Sequence, residues 1–576
     1  MSQVPEIGPP FCKLNSLIVA QSSPDSSRHD GGREGMVKRS SGSSGLTADP
    51  FGTSVVEQCP EKRRQIGVIS AAFLIFNRII GTASLQHLAR FWRSRVVSGC
   101  LWWYGLWTLY IYLEWYVSVL TPGRNGGEKN YLEYVYTKPR FLVTAMFASY
   151  AFFLGWAAGN SIAFGEYVLH AANVEVNRWN QRGIGLACIT LAFVIHATAV
   201  KWGLRMQNFF GAVKFLIVLI IVIGGAVALT GHLTIEKPDN FSRPFEGSIP
   251  SVYGIVTALY SVIWSYIGYS NANYSLSETK NPARTLKIAA PIGVGLAGVL
   301  YMLVNVAYFA AVPKKEILGS GRILAASFFR NVFGPKAERV LSVFVALCAF
   351  GNVQSVLFSQ GRVIQELGRE GVLPFSKFWA SNRPFNSPAA GLFEHYVISA
   401  VVMLAPPPGD AYNFLLKSVW APPFSIDLCL TISQPDSLIS YPLSVVNVFV
   451  TAGLIHIYMF PSRYPDWAPT IRAGRPISFF FLVSNIFLVV APYLPPPDKK
   501  HNVYTHLPYY IHCVVGLGIF AVGTIYWIFW AVLFPWVGRY RLLEETVIAP
   551  DGWSRQIITH VPINGAVNEK GQWKLR

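Results

Sequence analysis

The chain has 576 residues, 52% of them hydrophobic and only 14% charged, with a mean hydropathy of +0.36. Ordinary globular domains carry about 25% charged residues, so this composition excludes a soluble domain and fits a polytopic membrane protein. The formal charge of +18 does not mark a nucleic-acid binder: Lys and Arg sit in short clusters between apolar runs rather than in one stripe.

The seven cysteines, Cys12, Cys59, Cys100, Cys188, Cys348, Cys429 and Cys513, are scattered and show no CxxC or Cys/His spacing. No metal site, disulfide framework or cofactor is implied. The N-terminus lacks the order of a cleavable signal, so insertion is expected to rely on the first spanning helix.

In chain order, residues 1–64 form a Ser-, Gly- and Pro-rich cytoplasmic tail that cannot bury enough apolar surface to fold. It reads as a regulatory segment, open to phosphorylation and to ubiquitin-ligase adaptors, or as an inert tail. Residues 65–536 form the transmembrane domain and 537–576 a second cytoplasmic tail. The basic cluster Lys62-Arg63-Arg64 holds the N-terminus in the cytosol. The first apolar run, Gln65 to Thr82, ends early at Ile79-Ile80-Gly81-Thr82.

Residues 83–111 then carry Arg90, Arg93 and Arg95 where neither composition nor charge suits a helix end and outward loop. They read as a frame or splice error in the predicted gene, or as a diverged loop. Apolar helices follow at 141–166, 183–201, 208–231, 251–273, 288–313, 338–359, 389–406, 437–460, 476–496 and 508–535. With 66–82 and 98–120 they make about twelve, returning the C-terminus to the cytosol. Loop charges mostly obey the positive-inside rule. The basic stretch from Lys314 to Arg339 is an outward exception. Residues 417–437 look inserted, as a retained intron or a lineage-specific loop. Asn240-Phe241-Ser242 is a candidate glycosylation acceptor.

The informative stretch is Ser251 to Ala290. Its apolar run is interrupted at Ser265-Tyr266-Ile267-Gly268-Tyr269-Ser270-Asn271 and followed by the polar tail Ser277-Glu278-Thr279-Lys280-Asn281-Pro282, where Pro282 stops any helix. A helix opened at bilayer depth frees N–H and C=O groups, which is tolerable only where protein, water or ligand satisfies them.

This stretch resembles the sixth helix of the amino acid–polyamine–organocation superfamily, specifically its L-type amino acid transporter branch, and from Gln65 to Trp536 the chain is similar to fungal methionine permeases. Trp264 falls on that branch's aromatic gate, Tyr266 on its tyrosine and Gly268 on its second glycine, while Ile267 replaces the first glycine. The first run matches the branch's G-[ST]-G-I-F break only at Gly81 and Thr82, with Ala83-Ser84-Leu85 in place of Gly-Ile-Phe. Breaks in helices one and six, five helices apart, are what a five-plus-five inverted repeat produces. The expected fold is therefore an all-α, LeuT-like polytopic carrier.

The resemblance implies that the substrate carboxylate meets amides at Gly81, Thr82 and Ala83, where a half-helix end presents free N–H groups. The α-ammonium then meets carbonyls near Ile80, Tyr266 and Ile267, and Gly268 allows close backbone approach. Trp156, Tyr266, Tyr269, Asn352 and Ser355 are candidate side-chain-pocket residues, though aromatics there also read as core packing. Small residues such as Gly81 and Gly268 also serve helix packing. Lys214 lies inside an apolar run, where an ammonium costs about 2.5–3.5 kcal/mol on insertion scales. It reads as a fixed cation surrogate or a proton-coupling group, or as a side chain snorkelling to the membrane face. Glu114 and Glu166 read as interfacial.

The function implied is proton-driven import of a neutral L-amino acid, methionine in the similar permeases, across the plasma membrane. The partners are amino acid, protons and lipid. The alternatives are an exchanger, or a nutrient receptor or inactive carrier. Residues 167–182 lack the cysteine that exchangers use to bond a heavy chain, so no covalent heavy chain is expected. No nucleophile–base or metal constellation suggests an enzyme.

Overall fold

The computed structural model describes residues 66–81, 127–155, 157–242, 252–269, 271–319, 324–404, 435–465, 467, 474–496, 508–548, 554–563, 566–567 and 573–574. The tail to residue 64, the span 98–120 with Glu114, the segment 83–111 and residues 417–434 lie outside them.

The helices are α1 Val68–Ile79, α2 Glu128–Val135, α3 Leu142–Leu154, α4 Ala158–Ala171, α5 Arg178–Thr198, α6 Val200–Leu229 and α7 Val252–Tyr266. After a 3-10 stretch at Asn271–Glu278 come α8 Pro282–Ala311, α9 Lys314–Gly319, α10 Leu324–Phe333, α11 Pro335–Arg369 and α12 Ser376–Ala380. The last four are α13 Ala389–Leu404, α14 Pro435–Met459, α15 Arg475–Val490 and α16 Ile511–Trp527. Eleven of the predicted apolar runs are helical. Among the described residues eight helical runs are long and apolar enough to cross a bilayer, and α1, α7 and α13 are shorter. At about 1.5 Å per residue, α11 with its 35 residues is longer than the roughly 30 Å hydrocarbon core.

Polarity is arranged inside out. Leu216 and Ile223 on α6 and Phe479 and Phe480 on α15 face outward, while Lys214, Gln207, Asn352 and Ser355 are buried. Outward apolar side chains suit acyl chains, and the polar ones gather on α1, which packs against α6, α8 and α11.

Local sequence explains some helix ends. Asn177 caps α5 by accepting from the Trp179 and Asn180 amides, while the Asn180 side chain accepts from the Asn177 N–H. Pro282 opens α8 rather than stopping a helix, because a first-turn N–H has no intrahelical partner to lose. The predicted helix 141–166 falls within one apolar spanning run, Leu142–Ala171, in which α3 ends at Leu154 and α4 begins at Ala158. A side chain at Gly155 would collide with His395 Cε1, 2.5 Å from the Cβ position. Asn240 is a correction too. It is buried, and its amide nitrogen donates to the Phe309 and Val312 carbonyls at 2.8 Å each, leaving no free nitrogen for a glycan.

The fold departs from all-α after α16, which runs through a π-type turn at Ile528–Leu533 into Phe534–Gly538. There β1 Tyr540–Ile548 pairs antiparallel with β2 Ser554–Pro562, Tyr540 opposite Pro562. Leu542 and Ile558 of this hairpin join an apolar cluster with Leu132, Leu367 and Val372. The Ile558 N–H donates to the Glu370 carbonyl at 2.9 Å, so the hairpin is seated on the C-terminal end of α11.

The same end carries an ion cluster. The Lys129 ammonium lies 3.0 Å from Glu133 and 2.5 Å from Glu370. Glu133 accepts from the Thr144 hydroxyl, and Tyr274 donates to Glu128 at 2.7 Å. Burial alone would push the Lys129 ammonium down, but the two carboxylates outweigh it and hold it above its ordinary range. Burial pushes Glu370 up to about 8, helped by Glu133 and Glu366 against the pull of Lys129: one ammonium serves two carboxylates.

Candidate functional site

Helix α1 stops after Ile79 because the backbone turns extended at Ile80, φ −78° and ψ 97°. Gly81 follows where a Cβ would stand 2.9 Å from Asn352 Nδ2 and 3.0 Å from Asn160 Oδ1. Helix α7 stops at Tyr266 and turns through residues 267–269, with Gly268 at φ +117°, a conformation that costs glycine little and other residues more. A Cβ on Gly268 would lie 1.9 Å from Arg78 Cγ, so these two ends are pressed together.

Two side chains join them. Lys214 on α6 is fully buried, and its Nζ donates to the carbonyls of Asn77 and Ile80, each at 2.7 Å. The last carbonyls of a helix carry partial negative charge, so the ammonium is solvated by the end of α1 rather than by a membrane face. Tyr301 on α8 places its hydroxyl 2.8 Å from the Ile79 carbonyl and 3.2 Å from that of Ser265, bridging the ends of α1 and α7. Its ring meets Tyr266 edge-on at 5.2 Å.

Asn352 on α11 is a hub. Its Nδ2 donates to the Arg78 carbonyl at 2.6 Å and the Asn77 carbonyl at 3.2 Å. Its Oδ1 accepts from Asn160 at 2.9 Å and from the Arg78 guanidinium at 3.2 Å. Ser355, one turn on, donates to the Leu74 carbonyl at 3.2 Å and accepts from Gln207 and Asn271 at 3.3 Å each. Both side chains therefore hold α1 in place. Buried polar groups survive in an apolar medium when so paired.

Of the residues expected from sequence, Ile80, Gly81, Lys214, Tyr266, Ile267, Gly268, Tyr269, Asn352 and Ser355 gather around the ends of α1 and α7, and Tyr269 is buried in the same core. Trp264 is half-buried beside Ile267. Thr82, Ala83 and Trp156 lie outside the described residues. Glu166, away from this centre, accepts from Gln181 at 3.0 Å.

Sequence reasoning missed Asn77, Arg78, Asn160, Gln207 and Tyr301. Arg78 had a signal, a charge inside the apolar run Phe76-Asn77-Arg78-Ile79-Ile80. Asn160, Gln207 and Tyr301 had none, because their partners are remote in sequence. The centre thus holds two basic side chains, Arg78 and Lys214, and among the described residues neither forms an ion pair with a carboxylate.

A family model described as amino acid permease matches residues 66–520. The high-affinity methionine permease of Saccharomyces cerevisiae is 45% identical over 520 residues, covering 88% of this chain and 86% of that one. The low-affinity methionine permease of the same yeast is 26% identical over 504 residues, 85% and 86% of the two chains. The b(0,+)-type amino acid transporter 1 of Homo sapiens is 28% identical over 359 residues, 62% and 64%. With apolar spanning helices around a buried polar centre, a match of this length shows that the chain belongs to the amino acid permease family, whose members are integral membrane transporters and not enzymes.

Proposed function

We propose that this protein imports a neutral L-amino acid, methionine, across the plasma membrane by proton-coupled alternating access. In this reading twelve helices form a five-plus-five inverted repeat, with both termini cytosolic. The observation that carries it is the meeting of two interrupted helices, α1 and α7, over a buried ammonium. Half-helix ends at the bilayer midplane are how such carriers hold a zwitterion. The names of the two yeast relatives supply methionine; an apolar pocket separates side chains differing by a methylene by only about 1–3 kcal/mol.

The carboxylate is assigned to the amides of Gly81, Thr82 and Ala83, under the field of Arg78 and Lys214. The α-ammonium is assigned to the carbonyls of Tyr266 and Ile267 and to the second lone pair of the Ile80 carbonyl, whose first receives Lys214. Trp156 and Tyr269 line the side-chain pocket, and Asn352 and Ser355 set its floor by fixing α1. Lys214 is the coupling group: losing its proton would release two carbonyls at the end of α1.

The test is labelled-methionine uptake at acid and neutral pH in yeast lacking its own methionine permeases, with surface delivery checked. Acid-stimulated accumulation is expected. Binding without accumulation would instead mark a receptor, and uptake only against a preloaded amino acid would mark an exchanger.

A further inference from the structure

A second ionisable site lies on α13, outside the centre described above. Glu394 and His395 are adjacent on this helix, and both are more than nine-tenths buried. His395 Nδ1 stands 3.3 Å from Glu394 Oε2. Neither carboxylate oxygen and neither ring nitrogen has a hydrogen-bond partner of acceptable geometry. A buried carboxyl and imidazole without partners are costly in a membrane helix, and such groups persist there where they move protons or ions.

Among the described residues no side chain outside the pair forms an ion pair with it. Helices α3, α4, α5, α11 and α12 pack against α13. The ionisable side chains they carry, among them Glu166 on α4, Cys188 and His196 on α5, Arg362 and Glu366 on α11 and Lys377 on α12, make no hydrogen bond or ion pair with either residue. Among the described residues the one ionic contact of either group is with the other, His395 Nδ1 to Glu394 Oε2. The pair must therefore balance its charge by itself. One proton added to carboxylate and neutral imidazole takes it from net −1 to net 0, either as a neutral acid or as a carboxylate–imidazolium pair.

The position gives that proton something to act on. His395 Cε1 presses on Gly155, which follows the end of α3. One turn on along α13, Ser399 accepts from the N–H of Ala157, which precedes α4, at 3.0 Å. A single face of α13 thus bears on both residues. Helix α4, which begins there, carries Asn160, whose amide donates to Asn352 at the substrate centre. The chain from Glu394 to α1 is contiguous: pair, Gly155 and Ala157, Asn160, Asn352, then the carbonyls of Asn77 and Arg78. Coupling needs such a physical connection between sites.

We propose that Glu394 and His395 form a second proton-binding site, distinct from Lys214, whose occupancy sets how α13 bears on Gly155 and Ala157 and through them the hold of Asn160, on α4, on the substrate centre. The proton enters from the side that opens to substrate and leaves to the side of release; no bond other than O–H or N–H is made or broken. The inference rests on the proton-coupled reading of the carrier.

The experiment is the pH profile of labelled-methionine uptake for wild type, Glu394→Gln, His395→Gln and a control, Glu166→Gln, each with surface delivery measured. Glu394→Gln fixes the neutral form and is expected to keep acid-pH uptake while losing most of its acid stimulation. His395→Gln is expected to move the profile, and the control to keep it. A wild type without acid stimulation would sink the proton-driven reading and this site together. An acid-stimulated wild type whose profile both variants share would overturn this site alone. Should the variants fail to reach the surface, the unaltered protein decides: a hydrophobic carbodiimide is expected to modify Glu394 more in acid than in alkaline buffer, read by peptide mass spectrometry. Modification independent of pH, or none while other carboxyls react, overturns the site.

Discussion

Lys214 and Lys129 are two fully buried ammonium groups with opposite clothing. Lys214 is held by the backbone carbonyls of Asn77 and Ile80, and Lys129 by the carboxylates of Glu133 and Glu370. Carbonyls at a helix end are dipoles, so they solvate a cation without cancelling its charge, and the loss of its proton frees them. Carboxylates cancel the charge and lock it in. The first arrangement suits a group that changes state during transport, and the second a fastening between elements, here α2, α3 and the end of α11.

The largest test of this contrast is Lys129→Ala. It leaves the buried Glu370 and the part-exposed Glu133 near each other without their cation, and breaking a buried pair by removing one partner costs about 3–5 kcal/mol. The thermal midpoint of the purified protein should fall sharply, and Glu370→Gln in the same chain should recover part of the loss. Equal stability of Lys129→Ala and wild type would dissolve the distinction.

Lys214→Met should do the reverse, leaving folding and surface delivery largely intact while methionine uptake drops by about ten- to a hundredfold, equivalent to about 1.4–2.8 kcal/mol. An unchanged rate with an unchanged pH profile would remove Lys214 from the coupling role.

Gly268→Ala probes the meeting of α1 and α7 from the other side. Its φ of +117° and the closeness of Arg78 Cγ predict a loss of order 1–3 kcal/mol for a side chain in a strained position. Uptake should fall, and adding Arg78→Ala should relieve the clash with Cγ but not that with Cβ, 2.6 Å away, giving a partial recovery in stability assays without restoring transport. Full uptake by Gly268→Ala alone would show that the two helix ends need not touch.

The smallest effect is a pH slope at the fastening. Glu370 titrates at about 8 in the folded chain against an ordinary 4.5, so its proton favours the folded state. That contribution is present below about 4.5 and is lost as pH rises through about 8. Lys129, raised above its ordinary 10.5, keeps its contribution up to that value and adds no slope in this window. The thermal midpoint should therefore decline modestly from mildly acid to mildly alkaline buffer, and Glu370→Gln should flatten the decline.

Much of the fold was legible because hydropathy is local. Eleven apolar runs became helices, and the weak stretch from Ser265 to Asn271 became the end of α7 and its turn, since Gly268 and the polar residues near it favour an open backbone there. The same locality misled at Pro282, where a residue that breaks helix interiors is favoured at a first turn. The site was legible only in part. Lys214 declared itself as a charge in an apolar run, and Arg78 sent the same signal, but Asn160 and Tyr301 look like ordinary polar residues in spanning helices.

The sequence by itself determined that this chain belongs in a bilayer, where most of its helices run and that two of them end early, because transfer of a side chain from water to an apolar phase depends chiefly on that side chain. Only the tertiary structure decided what each buried polar group is for. Lys214 lies 137 and 134 positions from the residues whose carbonyls it meets, and Asn352 lies 274 from Arg78. Glu394 and His395, by contrast, are neighbours in the chain. The remote partnerships arise when helices pack, and packing brings together residues that no local property of the chain relates.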